Sequence, residues 1–280
     1  MVKAYRPLSL TEALEIRESG DTVLLAGGSD LMVQNRRGSG IIPDLGGAVV
    51  FIAHLPELQG IFVAEDSIKI GAACTLAGLL QEPDMPEYVK APLAQMASPA
   101  IRNTATIGGN ICNSSPAGDT LPMLYALEAR LLIQSSKHSY MVRVEDFITG
   151  PGQNLLQTDE ILVQVQIPNR IYDGYYYKKV GARKANAISK LSFFAVSRQE
   201  DNRIQELRIA LGSVAPTVVR SREAESLLAG LAWGEIAQVL PEVQAYYEDL
   251  IQPIDDVRSS QEYRHRVALG LLRNYLLTQL

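Results

Sequence analysis

Two glycine pairs, Gly27-Gly28 and Gly108-Gly109, constrain this chain more than any other feature. The first closes an apolar run, DTVLL over 21–25, and reads AGGSD. The second lies in TIGGNICNSSPAGDT over 106–120, a stretch too small and polar to build much core. Glycine adopts backbone angles closed to other residues and lets another group come close to the main chain. A turn of consecutive amides, aided by a helix start, can hold a phosphate with little help from basic side chains. Two such turns facing each other could grip a diphosphate from both sides. An isolated Gly-Gly pair is by default only a tight turn. Neither pair forms the GxGxxG fingerprint of a parallel doubly wound sheet.

Composition narrows the field. A chain of 280 residues makes one large domain or two modest ones, and 47% hydrophobic against 20% charged residues supplies a core without a disorder signature. A net charge of -5 argues against nucleic acid or an anionic membrane as the main partner. Cys74 and Cys112 are too few for an iron–sulfur cluster or a four-cysteine zinc site, and the three histidines lack metal-ligand spacing. Any redox metal must therefore be carried elsewhere. No run reaches the length of a membrane span and the N-terminus does not read as a signal peptide, so the expected location is cytoplasmic.

Along the chain, Ser9 and Glu12 form a capping box that opens a short helix, with Gly20 as its stop. The run 21–25 reads as a buried strand, and the residues after the first glycine pair can turn helical. Short apolar runs between 48 and 71 read as strands with tight connections. A helix is expected over 88–96 and another after Pro122, then a hairpin turning at 135–138 and a strand over 161–168. Pro168 and the residues after it look like a domain boundary. Beyond it, strands are expected over 175–180, 187–198 and 203–213, and helices over 219–228, 233–247 and 261–277. The order is α+β twice over.

AGGSDLM at 26–32 and TIGGNICNSSPAGDTLPMLYALEA at 106–129, taken in order with SIKIGAACTLAGL, TDEILVQVQIP, RIALGSVAPTVVRSREAE and PIDDVRSSQEYRHRVA, resemble the FAD-binding subunit of the molybdenum hydroxylases. The similarity is to the xanthine dehydrogenase type, related to the medium subunit of carbon monoxide dehydrogenase, and it covers nearly the whole chain. The resemblance implies an FAD-binding type-2 domain over 1–170, PCMH- and VAO-like with two α/β subdomains. A smaller domain of antiparallel sheet plus helices over 171–280 would follow. It implies that Ala26, Gly27, Gly28, Ser29 and Asp30, with Thr106, Ile107, Gly108, Gly109 and Asn110, clasp the FAD diphosphate. Leu25 and Leu31 would flank the cofactor, Asp119 would touch it near the adenosine, Lys190 would contact it, and Ile188 would lie near the isoalloxazine. The implied partners are a molybdopterin-binding large subunit and a [2Fe–2S] small subunit, with electrons passing through the FAD to NAD⁺ or another acceptor.

Plainer readings stand beside these. Asp119 is also placed to cap the helix near Pro122, and Lys190 on a strand is by default a solvated charge. Cys112 reads as a small filler rather than a redox thiol. Tyr175, Tyr176 and Tyr177 fit alternating strand burial as well as a flavin stack. Asp255, Asp256, Arg258 and Arg264 read as a structural or subunit-contact network. No nucleophile or acid–base pair is in view, which suits a chain whose chemistry is a cofactor's. Two other functions fit the same fold: a free-standing FAD-dependent reductase or oxidase, and an assembly module without cofactor.

Overall fold

A computed structural model describes residues 3–183 and 186–278. The chain divides into two compact units. One comprises Met1–Met85, Ala97–Ser114 and Ala129–Asn169, and the other Pro86–Met96, Ser115–Glu128 and Arg170–Leu280.

The first unit begins with strand β1 (Ala4–Tyr5) and helix α1 (Leu10–Glu18). Ser9 Oγ accepts from Glu12 N at 3.2 Å, while Glu12 reaches back to Leu8 N at 2.7 Å rather than to the amide of Ser9. Gly20, at φ +89, ends the helix. Leu10, Ala13 and Leu14 share one face of α1 and pack on Val50, Ile52, Leu55 and Leu58. Strand β2 (Thr22–Leu25) follows, then a single helical turn α2 (Leu31–Gln34) and strand β3 (Ala48–Phe51). The three strands form a parallel sheet in the order β1-β3-β2.

The chain continues through β4 (Ile61–Val63), β5 (Ser67–Gly71), α3 (Leu76–Gln81), α4 (Glu87–Ala94), α5 (Pro99–Arg102), α6 (Ile107–Cys112) and α7 (Leu121–Ala126). The expected hairpin forms as β6 (Arg130–Gln134) and β7 (Ser139–Arg143). After α8 (Val144–Phe147), β8 (Ile148–Gly150) and β9 (Gln153–Asn154) comes β10 (Ile161–Pro168). An antiparallel sheet in the order β4-β5-β10-β6-β7 has β10 at its centre. A central strand is buried on both faces, which is why ILVQVQIP is apolar at consecutive as well as alternate positions.

The second unit is built on β11 (Gly174–Val180), β12 (Leu191–Glu200) and β13 (Arg203–Gly212), paired antiparallel in that order. Helices α9 (Arg222–Leu228), α10 (Ile236–Leu250) and α11 (Gln261–Leu277) supply Leu228, Val243, Tyr247 and Leu272 to a core shared with Leu191, Phe193 and Ile209. Both α4 and α7 belong to this unit, packing on β11 and on β12–β13 respectively.

Three local expectations shift. Residues 187–190 are not strand: Asn186 at φ +49 turns the chain, and β12 starts only at Leu191. Val219 pairs with Leu211 as an isolated bridge, so α9 waits for the Ser221 cap on Ala224 N at 3.1 Å. The helix expected from 233 starts as a 3₁₀ turn before α10. Among the described residues no helix is long and apolar enough to cross a membrane.

Candidate cofactor pocket

One glycine of each pair, Gly27 and Gly108, is required first by close packing against neighbouring backbone. A Cβ on Gly27 would fall 1.9 Å from Thr104 O, and one on Gly108 would fall 2.7 Å from Ala72 O and Cβ. No rotamer change relieves a clash with main chain. The turn after β2 therefore lies directly on residues 104–105, and α6 lies directly on Ala72. Hydrogen bonds fix the second contact: Ile107 N donates to Cys74 O at 3.0 Å, Gly108 N to Ala72 O at 2.9 Å, and Leu76 N to Ala105 O at 2.9 Å. Gly28 differs from both, since φ +65 puts it in the left-handed region that favours glycine.

The two turns enclose one side of a cavity of about 550 Å³ within the first unit. The two turns differ in how their backbone donors are used. In the second turn every amide from 107 to 110 is used: Ile107 and Gly108 as above, Gly109 N on Thr106 Oγ1 at 3.0 Å, and Asn110 N on Thr106 O at 3.0 Å. In the first turn, the N–H groups of Gly27, Gly28, Ser29, Asp30 and Leu31 have no protein acceptor among the described residues. Met32 is the first residue to resume the ladder, donating to Gly28 O at 3.1 Å. Five consecutive unpaired amides at a cavity wall form a concave cluster of partial positive charge. Helices of four and six residues add little dipole to it.

Thr106 is 3% exposed and serves as both cap and wall. Thr106→Ala is expected to lower stability by about 1 kcal/mol through loss of the α6 cap, read as a smaller urea midpoint with unchanged m-value. At the mouth, Gln34 Nε2 donates to Asp30 Oδ2 at 2.6 Å and to Asn113 Oδ1 at 3.0 Å, tying the ends of the two turns together.

Apolar side chains of Leu24, Ile52, Leu156, Ile161 and Leu162 form much of the remaining wall. For this reason β2 is half-buried along its whole length instead of buried: it carries the cavity. Arg17 and Thr22 also line it, as does Cys112. Burial pushes the Cys112 thiol up to about 12, against the pull of the Arg17 guanidinium, so no thiolate is available. Of the residues expected at a cofactor, Ala26, Gly27, Gly28, Ser29, Asp30 and Leu31 line the cavity, as do Thr106, Gly108, Gly109 and Asn110. Leu25 and Ile107 do not; Ile107 is 1% exposed and packs into the core.

The other three expected residues lie in the second unit. Asp119 caps nothing: Thr120 is the N-cap of α7, and no side chain caps that helix. Instead its carboxylate is buried, accepting from Lys179 Nζ at 2.6 Å, Ser189 Oγ at 2.5 Å and Tyr177 Oη at 3.4 Å. Burial, reinforced by the Asp119 charge, pushes the Tyr177 hydroxyl well above its ordinary value and keeps it a donor. Through Ser189, Asp119 fixes the segment 187–190. There Ile188 is 62% exposed, and Lys190 stands half-buried with Nζ 5.3 Å from the centre of the Tyr263 ring. In the tyrosine run Tyr176 packs on the core of this unit, Tyr177 on the opposite face of β11 is buried beside Asp119, and Tyr175 is exposed. In the same unit Asp256 pairs with Arg258 and Arg264, and Asp255 accepts from Gln261 N at the start of α11.

Sequence reasoning missed Arg17, Thr22, Leu156 and Leu162. Each reaches the cavity through the tertiary fold, and a lone arginine in an amphipathic helix carries no local signal.

Comparison with known proteins agrees with this geometry. Residues 1–170 match the family described as FAD binding domain in molybdopterin dehydrogenase, and residues 175–279 match the CO dehydrogenase flavoprotein C-terminal domain. The chain is 33% identical over 270 residues to the xanthine dehydrogenase FAD-binding subunit of Escherichia coli O157:H7, covering 93% of this chain and 89% of that protein. It is 28% identical over 283 residues to the carbon monoxide dehydrogenase medium chain of Hydrogenophaga pseudoflava, covering 97% and 94%. A solved carbon monoxide dehydrogenase from that organism, lacking the Mo-pyranopterin moiety, superimposes with a TM-score of 0.88 at 25% identity, over 98% of this chain and 95% of that one. With free amides and shaped cavity in one unit and a matching C-terminal domain in the other, the chain belongs to the FAD-binding subunits of the molybdopterin dehydrogenase family.

Proposed function

We propose that the FAD diphosphate rests on the amides of Gly27, Gly28, Ser29, Asp30 and Leu31. The observation that carries this reading is the run of five unpaired N–H groups at the cavity wall. The second turn plays a different part: its amides are consumed, so it offers the Thr106 hydroxyl proton and supplies the rigid floor. In the second unit, Asp119 positions the segment that carries the exposed Ile188 and the half-buried Lys190 by holding Ser189. FAD, when bound, supplies the electron-transfer chemistry. The chain's own residues bind and orient it and keep water from its buried half.

In this reading the chain is one subunit of a molybdenum-containing dehydrogenase. Its partners are a molybdopterin-binding large subunit and a [2Fe–2S] small subunit, and the electrons leave to NAD⁺ or another acceptor. The assembly works in the cytoplasm. The names of the relatives as a medium chain and an FAD-binding subunit support this assignment. Affinity purification of the tagged full-length chain from its source cells is expected to bring down two further polypeptides with molybdenum and iron. A chain that emerges alone and oxidises substrate by itself would make it a free-standing flavoenzyme instead.

Gly28→Val tests the turn itself. A β-branched residue at φ +65 is strained, and its Cβ would stand 3.0 Å from Leu25 Cδ1. The amides then leave their common arc, and FAD affinity is expected to fall by at least about tenfold, the equivalent of about 1.4 kcal/mol. Far-ultraviolet circular dichroism should stay at the wild-type level, because nothing in the core depends on this position. Unaltered FAD affinity would remove the first turn from the site.

A further inference from the structure

The cavity carries a negative charge in an unfavourable place. Among the described residues that line it, Asp30 alone has a carboxylate, and it stands on the first turn, beside the unpaired amides. Arg17, the one cation of that lining, does not offset it, because its guanidinium is engaged by the carbonyls of Thr22, Gln157 and Glu160. An aspartate next to free N–H groups ordinarily accepts from them, since short polar side chains hydrogen-bond to nearby backbone. A carboxylate lying there would occupy the donors and repel a diphosphate.

The structure shows a different arrangement. Asp30 is the N-cap residue of α2, yet its side chain caps nothing, and no amide of the turn donates to it. Its Oδ2 accepts instead from Gln34 Nε2 at 2.6 Å. A separation of four residues on α2 brings the two side chains to one face. The same Nε2 also donates to Asn113 Oδ1 at 3.0 Å. Asn113 is the C-cap residue of α6, and its own N donates to Gly109 O at 3.0 Å, so this acceptor is fixed on the second turn. An amide NH₂ has two protons, and both are spent. Gln34 thus meets the carboxylate from an anchored position, unlike a free surface side chain.

We propose that Gln34 is a positioning residue for the diphosphate: anchored on Asn113, it holds the Asp30 carboxylate off the amides of residues 27–31 and leaves them open to the anion. This rests on the reading of the first turn as the seat of the FAD diphosphate. Gln34 acts through Asp30, and its removal frees the one acid able to close that seat from within.

The test is calorimetric titration of the flavin-free full chain with FAD, in a double-variant cycle of Gln34→Ala and Asp30→Ala. Gln34→Ala is expected to weaken FAD binding by at least about tenfold, because the released carboxylate returns to the turn and opposes the diphosphate. In the Asp30→Ala background the same substitution should cost less than about twofold, because no carboxylate is left to restrain. Gln34 is exposed, so its loss should leave the urea midpoint unchanged. A residue that merely braced the loop through Asn113 would cost the same affinity in both backgrounds, and that result would overturn the proposal. Unchanged binding by Gln34→Ala would overturn it too. So would loss of binding in Asp30→Ala alone, which would make the carboxylate a ligand contact. Wild type that takes up no FAD would remove the seat itself, a failure distinct from these three.

Discussion

Gly27→Ala is expected to destabilise the first unit by about 3 kcal/mol or more and to abolish FAD binding with it. A single methyl group there would lie 1.9 Å from the carbonyl oxygen of Thr104 and 2.7 Å from its carbon. Overpacking in a core ordinarily costs about 1–3 kcal/mol because side chains yield. Here the obstruction is main chain, held by the Thr104 N bond to Ile101 O at 3.1 Å and the Ala105 N bond to Ile101 O at 2.8 Å, so yielding means parting the two turns. Gly270→Ala is the matching control. It sits inside α11 with nothing within 4 Å of the added Cβ, and should raise stability by about 0.5–1 kcal/mol. Urea unfolding of both variants checks the pair, and a Gly27→Ala protein within experimental error of wild type would show that the turns do not touch.

The second large effect is expected from Lys179→Met. Lys179 and Asp119 form an ion pair at 2.6 Å with side chains only 8% and 7% exposed. Removing one partner strands the other charge away from water, at a cost of about 3–5 kcal/mol. The double variant Asp119→Asn with Lys179→Met should recover most of that loss, because two neutral groups need not compensate each other. A midpoint change equivalent to less than about 1 kcal/mol in the single variant would mean that water reaches the pair. The same substitution is expected to loosen 187–190, since Asp119 anchors Ser189, so hydrogen exchange in that segment should rise.

Much of this molecule is legible in its sequence, and the failures share one cause. Local signals carry through: Ser9 with Gly20 bounds α1, the polar turn at 135–138 closes the β6–β7 hairpin, and both glycine pairs mark the cavity. What the pairs do is less legible. Composition makes them alike, yet the amides after Thr106 are spent on Ala72, Cys74 and Thr106 itself, while those after Ala26 are free. That difference depends on which segment lies opposite each turn. Asp119 reads locally as a helix cap, but its partners at 177, 179 and 189 are far along the chain. Arg17 reads as an ordinary helical arginine, and only the fold sets it in a cavity wall. The segments 86–96 and 115–128, which pack with the C-terminal sheet, carry no local mark of that membership either.

The central claim is that this single chain holds FAD on the first glycine turn. Its most direct measurement is fluorescence titration of the purified, flavin-free chain with FAD, in parallel with Gly28→Val. The account predicts saturation at one FAD per chain, quenching of flavin emission, and at least about tenfold weaker binding in the variant. Failure of the wild type to take up FAD, or equal binding by the variant, would contradict it.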